Sequence, residues 1–264
     1  MHRKFDDKCE QFYLGYERYQ LPEVRKKRAY TLVKWGYTIS YYAVSSVAAY
    51  AILKDTSFMP TWLGGKGYCT DLTRYLYNLD EANIQMKVFY IIQFGKHIGR
   101  FFHHVFIRPE GNFYEYALHH GLSTFLIFFS YLMNMWLIGI FVLFIHDLSD
   151  FFLILGRAYR DYKHFNRLVI NAIYYCGGAA WIGCRILLLS YCCVYSSISS
   201  AYKFYVGREK YSELTFDLIM VPGMFMAFML FALQILQLFW TYYIMQAFVE
   251  IGVSSKLAKN TYEA

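Results

Sequence analysis

The chain has 264 residues, of which 57% are hydrophobic, 21% aromatic and only 17% charged. A soluble domain has about a quarter of its residues charged, and here the apolar residues fall in long blocks instead of short amphipathic periods, which excludes an ordinary soluble fold. The net charge of +7 sits at the flanks of these blocks, which suits orientation in an anionic bilayer and not nucleic-acid binding.

The first 28 residues mix eight Lys/Arg with five Asp/Glu. A transit peptide is poor in acidic residues, and a secretory signal needs an early apolar core. No cleavable signal is therefore expected, and the first span is expected to serve as the insertion signal. Residues 1–30 read as a polar N-terminal segment. Its Phe12, Tyr13, Tyr16, Arg18 and Tyr19 predict a protein partner that holds it.

Residues 31–253 read as one membrane domain of about six spans, an all-α transmembrane bundle. A span needs about 20 residues to cross the hydrocarbon core. The first runs from about Thr31 to Leu53. The loop that follows holds Gly64-Gly65-Lys66-Gly67, whose spacing is wrong for a phosphate-binding loop and suits turns. The second span covers about Val88 to Ile107. Lys96 and Arg100 lie within it at i,i+4, on one helical face, each preceded three residues earlier by Gln93 or His97. Such a stripe rarely faces lipid. It would line a site for a polar substrate or lipid headgroup, pair with Asp147 or Asp150, or dock on another subunit.

The third span runs from about Tyr116 to Met133 and the fourth from about Leu137 to Leu155. They are joined by a short link near Asn134, which makes them antiparallel neighbours. His120 lies 14 residues before Asn134 and Asp147 lies 13 after it. At about 1.5 Å per residue, both sit about 20 Å from the turn, at one depth. Asp147 and Asp150 are i,i+3, and His146 and Asp150 are i,i+4, so each pair shares a face.

The fifth span covers about Leu168 to Val194. The sixth covers about Leu218 to Phe248, with Pro222-Gly223 expected to bend it. Residues 254–264 form a polar tail. With the N-terminus inside, fifteen Lys/Arg fall on the inner side and seven on the outer, so both termini are expected on the cytosolic or matrix side. The six cysteines lack CxxC spacing and read as small apolar residues, with neither a disulfide nor zinc implied.

Carboxylates in a membrane are costly, and pairing with His lowers that cost. An imidazole held by Asp is also how a general base or nucleophile is fixed. His119, His120, Asp147 and Asp150 therefore suit acyl transfer to an amine or hydroxyl. The plainer alternative is a polar network that only locks two helices. A metal site is not expected, because the HxxxH and HxxHH spacings of di-iron histidine boxes do not occur. No bound cofactor is expected.

His119, His120, Thr124, Ser130, Tyr131, Asn134, Gly139 and His146-Asp147-Leu148-Ser149-Asp150 keep one pattern over about thirty residues. In that pattern the chain resembles the ceramide synthase branch of the TLC-domain, or longevity-assurance, family. Phe89-Tyr90, Gln93, Arg185, Leu233-Gln234 and Phe239-Trp240 extend the resemblance to roughly Trp62 to Phe248. Leu137, Ile154, Lys96 and Arg100 depart from the family's pattern. The resemblance implies an N-acyltransferase that moves a fatty acyl group from acyl-CoA, as co-substrate, to a sphingoid-base amine. One of His119 and His120 would take the amine proton or carry the acyl group, with Asp147 and Asp150 stabilising the imidazolium. His146, Ser149, Lys96 and Arg100 would contact substrate, and Arg185 would contact an anionic group of the CoA or meet a carboxylate inside the bundle. Membrane lipid and the fatty acyl chain are the implied partners, and the endoplasmic reticulum is the implied compartment. The rival reading is a non-catalytic TLC-fold subunit that binds lipid within a large complex, such as one in the mitochondrial inner membrane.

Overall fold

A computed structural model describes residues 22–56, 58–67, 84–107, 113–160, 166–207 and 213–262. The aromatic part of the N-terminal segment and the partner expected for it lie outside these residues, as do Arg108, Cys9 and Cys69. Among the described residues the named elements are all helical. Helix α1 is Pro22–Leu53, and α2 is Ile84–Phe102 continued as a π-helix over His103–Ile107. Helix α3 is Phe113–Leu132 and α4 is Trp136–Arg160. Helix α5 runs as α-helix over Arg167–Trp181, π-helix over Ile182–Tyr195 and α-helix again over Ser196–Val206. Helix α6 is Glu213–Tyr262 and continues through Pro222.

The six expected spans thus each fall on a long helix. Among the described residues, three stretches are long and apolar enough to cross a membrane: Trp136–Tyr159, Leu168–Val206 and Met220–Gln246. The protein is an integral membrane helical bundle. Helices α1 to α3 fall short of that apolar length because tyrosines, serines, histidines and basic residues interrupt them.

Helix α4 is the hub. It packs on α1 and α5 most extensively, and also on α2 and α3. Its sequence explains this position, because Trp136, Leu137, Ile138, Ile140, Phe141, Leu143, Phe144 and Ile145 are all buried, and a helix apolar on all sides belongs in the centre. By contrast α6 packs on α5 and α3 and turns Phe228, Phe231, Ile235 and Leu238 outward, as a lipid-facing helix does.

The link between α3 and α4 is set by Asn134, whose φ of 54° is left-handed. Met135 N–H donates to Ser130 C=O at 2.8 Å and Asn134 N–H donates to Tyr131 C=O at 3.3 Å. This is the Schellman closure of a helix C-terminus. The Trp136 indole donates to Asn134 Oδ1 at 3.2 Å and fixes the start of α4. The sharp reversal makes α3 and α4 antiparallel, as their spacing predicts.

After α1, the chain makes a tight turn over residues 58–67. Phe58 and Met59 are fully buried, with Phe58 edge-on to Phe141 of α4. The glycines serve turn geometry, as expected. Gly64 is left-handed, at φ 82°, and a Cβ on Gly65 would lie 2.2 Å from Met59 O. Lys66 donates to Asp55 at 2.8 Å and holds its carboxyl below the usual range, but both are exposed and such a pair contributes little.

Cys184, Cys192 and Cys193 are buried and Cys176 is exposed.

Candidate functional site

A cavity of ≈ 70 Å³ lies among α1, α2, α3, α4 and α6. At about 10–15 Å³ per water-sized probe, it has room for several waters or a headgroup. One end is polar: Tyr42 from α1, Lys96, His97 and Arg100 from α2, His119 and His120 from α3, and His146, Asp147 and Asp150 from α4. The other end is mostly apolar, formed by Leu126, Ile127, Ile138, Leu143, Met226 and Leu230, with the Ser130 hydroxyl there already bonded to Tyr90 and Ile127 O. Residues of α3 and α4 equally far from Asn134 meet here, so the common depth read from the spacing is real.

Asp147 is buried, its side chain 4% exposed. Its Oδ1 pairs with Lys96 Nζ at 3.1 Å. Its Oδ2 accepts from Ser45 Oγ and from Gln93 Nε2 at 2.9 Å. Gln93 also donates to Ser45 and accepts from the Tyr41 hydroxyl at 3.0 Å. Lys96 is enclosed by two rings, 4.0 Å from Tyr41 and 4.4 Å from Tyr42. This group ties α1, α2 and α4 together through a desolvated, fully partnered carboxylate. Of the expected uses of Lys96, the geometry shows the pairing with Asp147, made at the wall of the cavity that Lys96 also lines.

Asp150 pairs with Arg185, whose side chain is 2% exposed. Arg185 does not line the cavity. Its Nε donates to Ser149 Oγ at 2.8 Å, one Nη to Gln237 Oε1 at 3.1 Å, and the other to His146 O at 3.2 Å and to Asp150. The guanidinium also lies 4.4 Å from the Trp181 ring. Four of its five N–H donors are therefore used within the bundle. The π-helical stretch of α5 presents it. There, i→i+5 bonding widens each turn, and Arg185, Leu189 and Cys193 fall on one buried face.

His146 has both ring nitrogens engaged. Nδ1 lies 2.7 Å from Val142 O, and Nε2 lies 3.0 Å from Gln237 Nε2. A carbonyl only accepts, so Nδ1 carries the proton and Nε2 accepts from the Gln237 amide. Gln237 Oε1 is then free to accept from Arg185, which is what the distances show. His146, Ser149, Asp150, Arg185 and Gln237 form one consistent network across α4, α5 and α6.

His119 and His120 differ from His146. The His119 ring lies 4.6 Å from Trp240 and 5.4 Å from His120. Its Nδ1 is buried without a hydrogen-bond partner. His120 lies beside the rings of His104 and Tyr116, at 6.2 and 6.1 Å, and its carbonyl accepts from Thr124 at 2.7 Å. Among the described residues, Asp147 pairs with Lys96 and Asp150 with Arg185, a cation in each case. Among the described residues no three His, Cys, Asp or Glu are grouped to hold a metal.

Ser45, Tyr42 and Gln237 were not singled out by the sequence pattern. A trace of signal was present, since each is polar in an otherwise apolar stretch. His97 was visible only as part of the stripe on α2. Both its ring nitrogens are buried without a partner, facing the same cavity.

A helical membrane bundle with a His/Asp/Arg-lined cavity defines a class of integral membrane protein. Within it, the family model for the TLC domain (TRAM, LAG1 and CLN8) matches residues 32–246, and the chain belongs to the TLC-domain family. It is 22% identical over 226 residues to ceramide synthase hyl-1 of Caenorhabditis elegans, covering 83% of this chain and 57% of that protein. It is 26% identical over 205 residues to ceramide synthase 4 of Mus musculus, covering 76% and 45%. With ceramide synthase hyl-2 of Caenorhabditis elegans the figures are 25% over 225 residues, 83% and 63%. The chain therefore matches about half to two thirds of the length of these relatives.

Proposed function

We propose that the chain is a ceramide synthase-like N-acyltransferase, with acyl-CoA as donor and a sphingoid-base amine as acceptor. The observation that carries this reading is His119: its Nδ1 is buried and unpartnered on a cavity whose other end is apolar, in a chain similar to three proteins named ceramide synthases. An imidazole in that state can take a proton. The amine nitrogen attacks the thioester carbonyl, the C–S bond breaks as the amide C–N bond forms, and the amine proton passes through His119 to the departing thiolate. His120, beside it, is the alternative site for proton or acyl group. Asp147 and Asp150 act through their negative charge at the polar end, each already held by a cation. By similarity the compartment would be the endoplasmic reticulum.

The test is direct. The protein, purified in lipid nanodiscs, is supplied with a long-chain acyl-CoA and sphinganine, and amide is measured by mass spectrometry. Amide formation is expected, and His119→Ala should lower it by about 10²–10⁴, the usual worth of a positioned general base. A folded wild-type protein that forms no amide overturns the reading.

A second reading, a non-catalytic TLC-fold subunit, is favoured by one specific observation. Lys96 and Arg185 neutralise both aspartates within closed networks that clamp α1, α2, α4, α5 and α6. Buried charge sets of this kind often fix a structure and nothing more, and fold alone does not give activity. Such a subunit would bind lipid and partners in a large complex, for instance in the mitochondrial inner membrane. Native purification separates the two. A stoichiometric multisubunit assembly without amide synthesis supports the subunit, whereas turnover by the isolated chain excludes it.

A further inference from the structure

Three cations and two anions meet around the polar end of the cavity. Lys96 is paired with Asp147 and Arg185 with Asp150. Arg100 is left with a neutral partner. Its Nη1 donates to the Tyr42 hydroxyl at 2.8 Å, and its guanidinium lies 5.6 Å from the same ring. No carboxylate lies within ion-pair distance of Arg100 among the described residues. A guanidinium away from bulk water favours a bidentate oxyanion, and Arg100 has no anion in direct contact among the described residues, although Asp147 and Asp150 lie near enough to act on its charge.

The surroundings of Arg100 point the same way. His97, one turn before it, has both ring nitrogens buried without a partner on the cavity wall, and so has Nδ1 of His119. These are hydrogen-bonding atoms with nothing in the protein to bond. Beyond them the lining becomes apolar within two helical turns, through Leu126 and Ile127 on α3, Leu143 on α4 and Leu230 on α6. A polar end with one surplus positive charge, followed by an apolar end, matches an amphiphile with one negative charge.

We propose that the cavity is a binding site for the head of a monoanionic amphiphile, with the oxyanion on Arg100 and the first methylenes against Leu126, Ile127 and Leu230. The single surplus charge selects a carboxylate or a phosphodiester over a phosphate monoester, which carries more negative charge than Arg100 offsets. The volume of ≈ 70 Å³ takes a headgroup and the carbons next to it, so the rest of the chain lies in the surrounding hydrocarbon. The site exists whether or not the chain transfers acyl groups, and its test reads binding without turnover.

The full chain is placed in nanodiscs of phosphatidylcholine and titrated with labelled palmitate and, separately, with labelled hexadecanol. Saturable binding of palmitate is expected, about tenfold tighter than that of the alcohol, from one charge-assisted contact. Arg100→Gln should weaken palmitate about tenfold and abolish the preference for the acid, while Arg100→Lys, which keeps the charge, should retain most of it. Adding phosphatidylglycerol identifies the source. Displacement of palmitate assigns the site to a phospholipid head, and no displacement assigns it to a free fatty acid. The comparison of acid with alcohol uses the unaltered chain, so a variant that fails to fold leaves the test intact. Equal affinity for acid and alcohol, or the absence of saturable binding by any anionic amphiphile, overturns the proposal.

Discussion

Arg185 shows how much of this bundle depends on single polar groups. It joins α5 to α4 and α6 through Ser149, His146, Asp150 and Gln237. Arg185→Met would leave Asp150 without its cation and Gln237 and Ser149 each one partner short. Breaking a buried pair from one side costs about 3–5 kcal/mol, and this loss is expected in detergent unfolding monitored by circular dichroism. Arg185→Lys should rescue little, because an ammonium cannot reproduce the planar fork. Replacing both ions, Arg185→Met with Asp150→Leu, should recover part of the loss, and a double variant no better than the single would show that the ion pair is not the cause. Gly139 offers a second test at this scale. A Cβ there would lie 1.6 Å from the Tyr90 hydroxyl, and that hydroxyl is fixed by Ser130 and by the carbonyl of Trp136. Gly139→Ala should therefore cost about 1–3 kcal/mol as overpacking, and Tyr90→Phe in the same chain should return part of it. The residues that carry the site were legible to different degrees. His119, His120, Asp147, Asp150 and Arg185 stand out as polar groups inside apolar blocks. Lys96 was expected as a partner of Asp147 or Asp150, but the neutral partners were not, because the His146–Gln237 contact spans 91 positions and Ser45–Asp147 spans 102. Nothing local in a sequence says which distant serine or glutamine will meet a given carboxylate; packing decides it.

At the scale of elements, the α3–α4 reversal was readable and the shape of α5 was not. Asn134 is among the few residue types that enter the left-handed region readily, so a short link at that position has a physical reason. Asn134→Gly should be tolerated better than Asn134→Ala, which meets a steric penalty of about 1–2 kcal/mol. Thermal unfolding of the two variants checks the order, and since both lose the indole contact to Trp136, their difference isolates the backbone effect. In α5 the apolar run of residues 168–194 predicts a span, yet the helix extends to Val206 and winds as a π-helix over fourteen residues, Ile182–Tyr195. Hydropathy carries no mark of that change. An almost uniformly apolar run looks the same at 3.6 residues per turn as at a wider pitch, and only the buried face reveals it. Helices α1 to α3 pose the opposite difficulty. Lys96, His97 and Arg100 lower the apolar character of α2, but they do so on the side that faces the cavity, while Ile91, Ile92 and Phe102 face outward. Such a helix can be apolar toward lipid and polar toward its neighbours, which a count over all residues averages away.

The whole molecule raises the matter of how many helices cross. Among the described residues six long helices are present, and three of them are long and apolar enough to cross a membrane. The distribution of Lys/Arg places both termini on one side if all six cross. The central position of α4 supports crossing by its neighbours too, because α1 packs along it as extensively as α5 does, and a hub embedded in hydrocarbon would otherwise expose Lys96 and Asp147 to lipid at considerable cost. Crossing by all of α2, α3 and α4, or by α4 alone, makes a prediction that crossing by two of them does not. Lys66, after α1, and Asn166, before α5, must lie on opposite faces of the membrane, since α2, α3 and α4 separate them. In a chain stripped of its native cysteines, Lys66→Cys and Asn166→Cys can be probed one at a time with a membrane-impermeant maleimide on sealed vesicles of known orientation. Lys66 is exposed beside Asp55 and Asn166 is exposed at the start of α5, so both should label once the reagent reaches them. One is expected to react in sealed vesicles and the other only after permeabilisation. If both react from the same side, an even number of the three intervening helices crosses, and α2 or α3 would have to lie along the surface. The cavity would then open at the interface, and the anion held by Arg100 would come from water instead of the bilayer.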